Sequence, residues 1–178
     1  VGGVLGGTVK QGKFSIGDEI EIRPGHMVEE KNKQVWKPLR TKIVQIFSGG
    51  VPIKEIMPGG SMALGTQLDP SVVKADSLGG STVGLPEKMP PVHYQITIDT
   101  HLLERVVGAK EELDVKPLAK NEILMLNINA AATVGFVVDP SKKNTTLALK
   151  KPVCAYPGDR ITISRRVGDR FRLIGYGI

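Results

Sequence analysis

The sequence predicts an all-β protein built as two tandem β-barrels, and three observations carry that expectation. Short stretches of alternating apolar and polar residues recur along the chain, each bounded by turn residues. Glycine (21) and proline (12) are plentiful among the 178 residues while aromatics make up 4%, a composition suited to many short elements and turns. The proline-rich stretch LPEKMPPVHYQ (85–95) lies at the middle of the chain. Proline removes backbone donors and holds its predecessor extended, so this stretch reads as a linker. It divides the chain into domains at 1–87 and 88–178, each the size of a small barrel.

Taken in order, GGTVK and KFSIGDEIEI read as a first hairpin turning at Gln11-Gly12-Lys13. DEIEIRPG places Ile20 and Ile22 inward with Glu19 and Glu21 outward, and ends at Pro24-Gly25. EEKNKQVWKPL is a hydrophilic hairpin tip carrying Trp36. RTKIVQIF alternates again, with Arg40 and Lys42 two apart and therefore on one face. SMALGTQL is a short strand and LDPSVVKAD (68–76) a charged loop after it. HYQITID, EILMLNIN, TVGFVVD, TLALKKPV, DRITISRR and RFRLIGYG supply the strands of the second domain. In the last of these, Arg170 and Arg172 are expected to face out and Phe171 and Leu173 in. The one helix-like stretch is HLLERVVGAKEEL (101–113), weakened by Gly108 and by its β-branched residues. Gly49-Gly50, Pro58-Gly59-Gly60, Asp139-Pro140 and Pro157-Gly158-Asp159 supply turn chemistry between strands.

The formal net charge is +6, with 11 basic against 9 acidic residues in 1–88 and 13 against 9 in 89–178. Such a balance permits a polyanionic partner without demanding one. The single cysteine, Cys154, excludes an intramolecular disulfide, fits a reducing compartment and reads as a small core residue. Apolar runs fall far short of membrane-spanning length and no basic-then-apolar leader opens the chain, so a cytoplasmic protein without membrane association is expected. His26, His93 and His101 are scattered and give no metal-ligand spacing. No grouping of Ser, His and Asp suggests nucleophilic or acid–base catalysis.

GTVKQGKFS (7–15) reads as a nucleotide-binding loop in near miss. A working loop aims backbone N–H groups at phosphates from a helix start and needs Ser or Thr after its Lys to hold Mg²⁺. Here Phe14 follows Lys13, and a period-two strand follows in place of a helix. A turn between strands is the better reading, with nucleotide binding as the disfavoured rival.

The extended stretch GTVKQGKFSIGDEIEI resembles the first hairpin of the second domain of translational GTPases. VGGVLGGTVKQGKF, MPGGSMALGTQLDPSVVKAD, LLERVVGAKE, KNEILMLNINAAATVGFV and PVCAYPGDRITISRRVGDRFRLIGYG are similar, in order, to the gamma subunit of archaeal and eukaryotic translation initiation factor 2. The resemblance implies the second and third domains of that family, with the GTP-binding domain absent and GTP and Mg²⁺ expected only there. It also implies that Val1 falls after an expected first strand. The family binds methionyl initiator tRNA and delivers it to the small ribosomal subunit, together with alpha and beta subunits.

Carried over by motif, the tRNA acceptor end would meet Val9, Lys10, Gly12 and Ile16, then Gln45, then Gly60, Ser61 and Met62. Glycine allows close backbone approach, and a terminal base needs a slot for its face and polar groups for its edge. Gln45 stands where the bacterial elongation carrier has Glu, and Ser61 where it has Asn. Val9 and Ile16 read equally as barrel core. Arg40, Lys42 and Lys54 could contact acceptor-stem phosphates, or form a solvated face. Asp69, Lys74 and Asp76 are assigned by the resemblance to alpha-subunit docking. Arg165, Arg166, Arg170 and Arg172, with Arg160, suit RNA or ribosome contact, or salt bridges to Asp159 or Asp169. A stand-alone β-barrel interaction module is the alternative reading of the whole chain.

Overall fold

The computed structural model describes residues 2–178, which form two compact units divided between Met89 and Pro90. Val1, where the resemblance places the join to an earlier strand, lies outside the described residues. The first unit contains β1 (Val4–Thr8), β2 (Phe14–Ser15), β3 (Glu19–Glu30), β4 (Lys33–Ser48), β5 (Val51–Ile53), β6 (Glu55–Ile56), β7 (Ser61–Thr66) and β8 (Thr82–Gly84). A short helix α1 (Pro70–Val73) and 3₁₀ turns at Lys74–Asp76 and Pro86–Lys88 complete it. Its antiparallel sheet runs β1-β7-β4-β3-β8, with β5 also on β4 and a separate β2–β6 ribbon. The strands curl around Val9, Phe14, Ile20, Ile43, Ile46, Ile56 and Leu64, all buried.

The second unit comprises β9 (Val92–Leu102), β10 (Ile123–Ile128), β11 (Ala131–Pro140), β12 (Asn144–Cys154), β13 (Ile161–Val167) and β14 (Arg170–Gly177). These close on themselves in the order β10-β11-β12-β9-β14-β13. Closure follows from alternation: Leu124, Leu126 and Ile128 of β10 are fully buried, as are Leu147, Ile163 and Ile174 from other strands. Cys154 is buried and its thiol donates to the Pro90 carbonyl.

Five sequence expectations are corrected. The first hairpin does not form, because β1 pairs with β7 and β2 with β6; Gly12 does turn the chain, at φ +72°. β3 does not end at Pro24-Gly25 but passes through it with a bulge between Ile22 and His26, where a proline has no ladder hydrogen bond to break. Gly25 is required there, since its φ is +90° and a Cβ would lie 1.8 Å from the Lys37 carbonyl oxygen.

Glu21 is not solvent-facing: it is 5% exposed, covered by the guanidinium groups of Arg23 and Arg40. No helix forms over 101–113. β9 extends to Leu102, Gly108 adopts φ +76°, and Arg105 bridges to Asp114 across an irregular loop whose Val106 and Val115 pack on the barrel core. The apolar spacing that looked helical serves a segment laid across a sheet.

Phe171 and Leu173 face outward, and the intervening residues explain why. Ile163 pairs with Gly175 while Ser164 pairs with Leu173, so Ile174 is an extra residue in β14. One inserted residue inverts the faces beyond it, burying Ile174 and exposing Leu173 and Phe171.

Because the only tryptophan, Trp36, lies on β4, its fluorescence reports the first unit. Gly25→Ala should lower the denaturant midpoint seen by Trp36. Leu126→Ala should destabilise the second unit by about 2–5 kcal/mol in circular dichroism, while leaving the Trp36 transition in place. A Trp36 midpoint unmoved by Gly25→Ala would contradict the bulge packing.

Candidate nucleic-acid and partner interface

The residues carried over for the acceptor end fall into three places on the first unit. At the first, the β1–β7 ladder sets Thr8 opposite Ser61 and Gly7 opposite Met62. The Ser48 hydroxyl donates to the Ser61 carbonyl (3.2 Å), fixing the start of β7 to the end of β4. Met62 is half-buried against the core, whereas Gly60 and Ser61 are exposed. A Cβ built at Gly6, Gly7, Gly59 or Gly60 would meet nothing within 4 Å, so the backbone is open at this end, with Gly6 on the face of Thr8 and Ser61 and Gly7 on the face of Met62.

The second place is the β2–β6 ribbon. The Ile16 N–H donates to the Lys54 carbonyl (3.0 Å) and Lys13 pairs with Glu55 (3.4 Å). Ile16 is 48% exposed, so it is free for contact, while Val9 is 7% exposed and its side chain belongs to the core. Phe14, which occupies the metal-holding position of the near-miss nucleotide loop, is a core residue as well. Gly12 turns in open space, and Lys10 beside it is exposed.

Gln45 marks the third. It lines a cleft of about 340 Å³ with Gly2, Val44, Thr66 and Gln67. Its ladder partner is Gly65, four residues along β7 from Ser61. That spacing is about 13 Å of extended chain, so the fold does not bring Gln45 to the Gly60-Ser61 turn.

The basic residues are not equivalent. Arg40 is tied to Glu21 through Nε (3.2 Å), and Arg23 holds the other carboxylate oxygen (2.8 Å). A buried carboxylate needs such partners, because removing them would strand a charge away from water. Lys42 is exposed and stands across the ladder from Glu19. Lys54 is exposed, its backbone engaged with Ile16.

Asp69, Lys74 and Asp76 lie together on one exposed segment. Asp69 caps α1 by accepting the Ser71 N–H (2.8 Å). Hydrogen bonds from the Ser71 side chain and backbone hold the Asp69 carboxyl below its usual range. Ala75 and Asp76 both adopt positive φ (55° and 56°). The segment is therefore a shaped turn and not the plain loop expected.

In the second unit the arginines disperse. Arg165 is clasped by Glu122 and donates to the carbonyls of Lys116 (2.9 Å) and Pro117 (3.2 Å), pinning the 103–121 loop. Its ion-pair partner is Glu122, not Asp159 or Asp169. Asp159 instead accepts from Asn129 and from the Tyr156 N–H. Arg165 stands opposite Arg172 in the ladder, and Glu122 offsets that like-charge pairing. Arg166 donates to the Gly168 carbonyl, Arg170 is exposed, and Arg160 lies over the Tyr176 ring. No shared guanidinium stripe forms.

Sequence reasoning missed the roles of Glu21 and Glu122, which depend on Arg40 from the next strand and on Arg165 more than forty positions on. Among the described residues, no group of three or more His, Cys, Asp or Glu is placed to hold a metal ion, and no helix is long and apolar enough to cross a membrane.

Comparison with known proteins bears on this geometry. Residues 94–178 match the family described as Initiation factor eIF2 gamma, C terminal. The chain is 54% identical over 176 residues to Translation initiation factor 2 subunit gamma of Methanocaldococcus jannaschii, covering 99% of the chain and 43% of that protein. It is 49% identical over 178 residues to the same subunit of Pyrococcus furiosus, again spanning 43% of the relative's length. Among solved structures, a bacterial selenocysteine-specific elongation factor shares the fold over 98% of the chain and 25% of its own, with a TM-score of 0.68 at 21% identity. The elongation factor SelB of Methanococcus maripaludis does so with a TM-score of 0.67 at 16% identity, over 98% of the chain and 38% of its own. The chain belongs to the family of translation initiation factor 2 gamma subunits and corresponds to their C-terminal β-barrel part.

Proposed function

We propose that this chain is the part of a translation initiation factor that receives the acceptor end of methionyl initiator tRNA and docks the factor's alpha subunit. It does so in the cytoplasm, in company with a beta subunit and on the small ribosomal subunit. The observation that carries the reading is the open backbone at Gly59 and Gly60, continued by Gly6 on the face of Thr8 and Ser61, while Gly7 opens on the opposite face beside Met62. A splayed terminal nucleotide needs a flat, side-chain-free bed for its base or ribose, with peptide groups and hydroxyls within reach of its edges. Exposed Lys10 and Lys54 supply positive charge for the adjoining phosphates, Ile16 a small apolar contact, and Gly12 the turn between them. Lys42 extends this charge along β4, whereas Arg40 is held to Glu21 by the fold.

Gln45 lies too far along the sheet to share the bed, so it would contact a different part of the ligand. Asp69, Lys74 and Asp76, fixed by the α1 cap and the turn after it, form the docking point for alpha. The chain itself carries no catalysis in this reading. GTP and Mg²⁺ belong to a separate GTPase domain, and Phe14 in the core leaves the near-miss loop without a metal-binding hydroxyl.

Two titrations test the proposal. A methionylated acceptor-stem hairpin should bind the chain more weakly than about 1 μM, because one domain supplies only part of the pocket. Its log–log salt slope should be shallow, near −2 for about two or three phosphates. Gly60→Val, which fills the open strip, should weaken binding about tenfold. Nanomolar affinity, or binding indifferent to Gly60→Val, would overturn the placement.

Purified alpha subunit should bind the chain, and Lys74→Glu should weaken that association without affecting the hairpin. Alpha binding unchanged by Lys74→Glu would move the docking point elsewhere. Micromolar GTP binding by the chain would contradict the non-catalytic reading.

A further inference from the structure

One cluster in the second unit is absorbed by none of the roles above. Tyr176 of β14 faces His101 of β9 in the ladder on one side and Thr162 of β13 on the other. The His101 ring stacks on Tyr176 with centroids 4.9 Å apart and planes 19° from parallel. The Arg160 guanidinium, at the β13 side, lies over the Tyr176 ring at 4.5 Å. Because the two partners come from strands on opposite sides of β14, Tyr176 is held between them. The Asp99 carboxylate, two residues before His101 on β9, sits 3.4 Å from its Nε2 and steadies the ring edge. His101 nonetheless remains 46% exposed, and Arg160 is exposed as well.

The next chain beyond β9 on the His101 side is the β11–β12 turn. The Lys143 carbonyl accepts the Thr100 N–H (2.9 Å), which brings the turn carrying exposed Lys142 and Lys143 alongside β9 next to His101. A guanidinium, a phenol and an imidazole are thus neighbours on the barrel surface, and the half-exposed His101 ring lies near a turn that carries two exposed lysines. An ordered stack loses little freedom when one more flat ring joins it. Cationic groups at both ends suit a ligand whose flat rings are joined by phosphates.

We propose that Arg160, Tyr176 and His101 form a stacking platform for an unpaired stretch of nucleic acid, with a base on the open face of His101 and the backbone phosphates on Lys142 and Lys143. Asp99 orients the imidazole, so a stacked base and not charge alone selects the ligand. The platform is separate from the acceptor-end bed of the first unit and uses none of its residues.

Fluorescein-labelled hexa-adenylate, as RNA and as DNA, titrated into the unmodified chain by anisotropy tests this directly. Both should bind at low salt, and the tighter of the two identifies the natural class. A hexamer of the same length lacking bases should bind at least about fivefold more weakly, the lower end of what one stacked base contributes. His101→Ala and Tyr176→Leu should each weaken the base-bearing hexamer by a similar factor, whereas Tyr176→Phe, which keeps the ring, should not. Lys142→Gln with Lys143→Gln should flatten the log–log salt slope by about 1.4.

Equal binding of the hexamers with and without bases would overturn the proposal. So would displacement of hexa-adenylate by a poly-glutamate peptide at matched charge, which would make the surface an acidic-peptide site. The comparison of hexamers, repeated on the Gly60→Val chain whose acceptor-end strip is filled, assigns base-dependent binding to the platform even where a platform variant fails to fold. Because the platform variants lie only in the second unit, failure here leaves the acceptor-end reading of the first unit standing.

Discussion

Neighbouring side chains on a β-strand face opposite sides of the sheet, so ladder register decides which residues any partner can meet. Two irregularities set that register here. The bulge between Ile22 and His26 carries β3 past Pro24 and Gly25 and lets β3 and β4 continue as a long paired hairpin. The extra residue at Ile174 turns Phe171 and Leu173 outward. It also leaves Tyr176 beside His101, since Gly175, Tyr176 and Gly177 pair with β9 beyond the shift.

Buried carboxylates provide the complementary constraint. Glu21 is gathered by arginines on β3 and β4, and Glu122 draws Arg165 onto the loop carbonyls at Lys116 and Pro117. Each arrangement spends a guanidinium on the fold, and each removes it from the pool available to a polyanion. Arg165 is the clearest case, with its side chain only 18% exposed. Exposed charge remains at residues such as Lys10, Lys42, Lys54 and Lys74 in the first unit and Arg160, Arg170, Lys142 and Lys143 in the second.

Much of the fold was legible in the sequence because its signals are local. Period-two alternation located the strands, and glycine and proline located turns such as Gly12 and Pro58-Gly59-Gly60. What was not legible depends on residues far apart in the chain. GGTVK and KFSIG look like hairpin partners, but the β1 strand finds β7 more than fifty positions on. Glu21 reads as solvent-facing until Arg40 arrives from the next strand. The 101–113 stretch has helical spacing, but Leu102 and Val106 are claimed by the barrel beneath, Val107 and Leu113 stay exposed, and Gly108 turns the chain. The site divided along the same line: the Gly60-Ser61 turn was readable as an exposed feature, the separation of Gln45 from it was not, and the Arg160–Tyr176–His101 stack is a product of three strands meeting.

The central claim is that a strip of bare backbone at the β1–β7 end receives the tRNA terminus. Amide chemical-shift mapping of the isotope-labelled chain, titrated with a methionylated acceptor-stem hairpin, tests it residue by residue. The account predicts shifts at Gly6, Gly7, Thr8, Gly60 and Ser61, fading toward Gln45. Shifts confined to the Asp69–Asp76 segment or to the second unit, with the glycine strip silent, would contradict it.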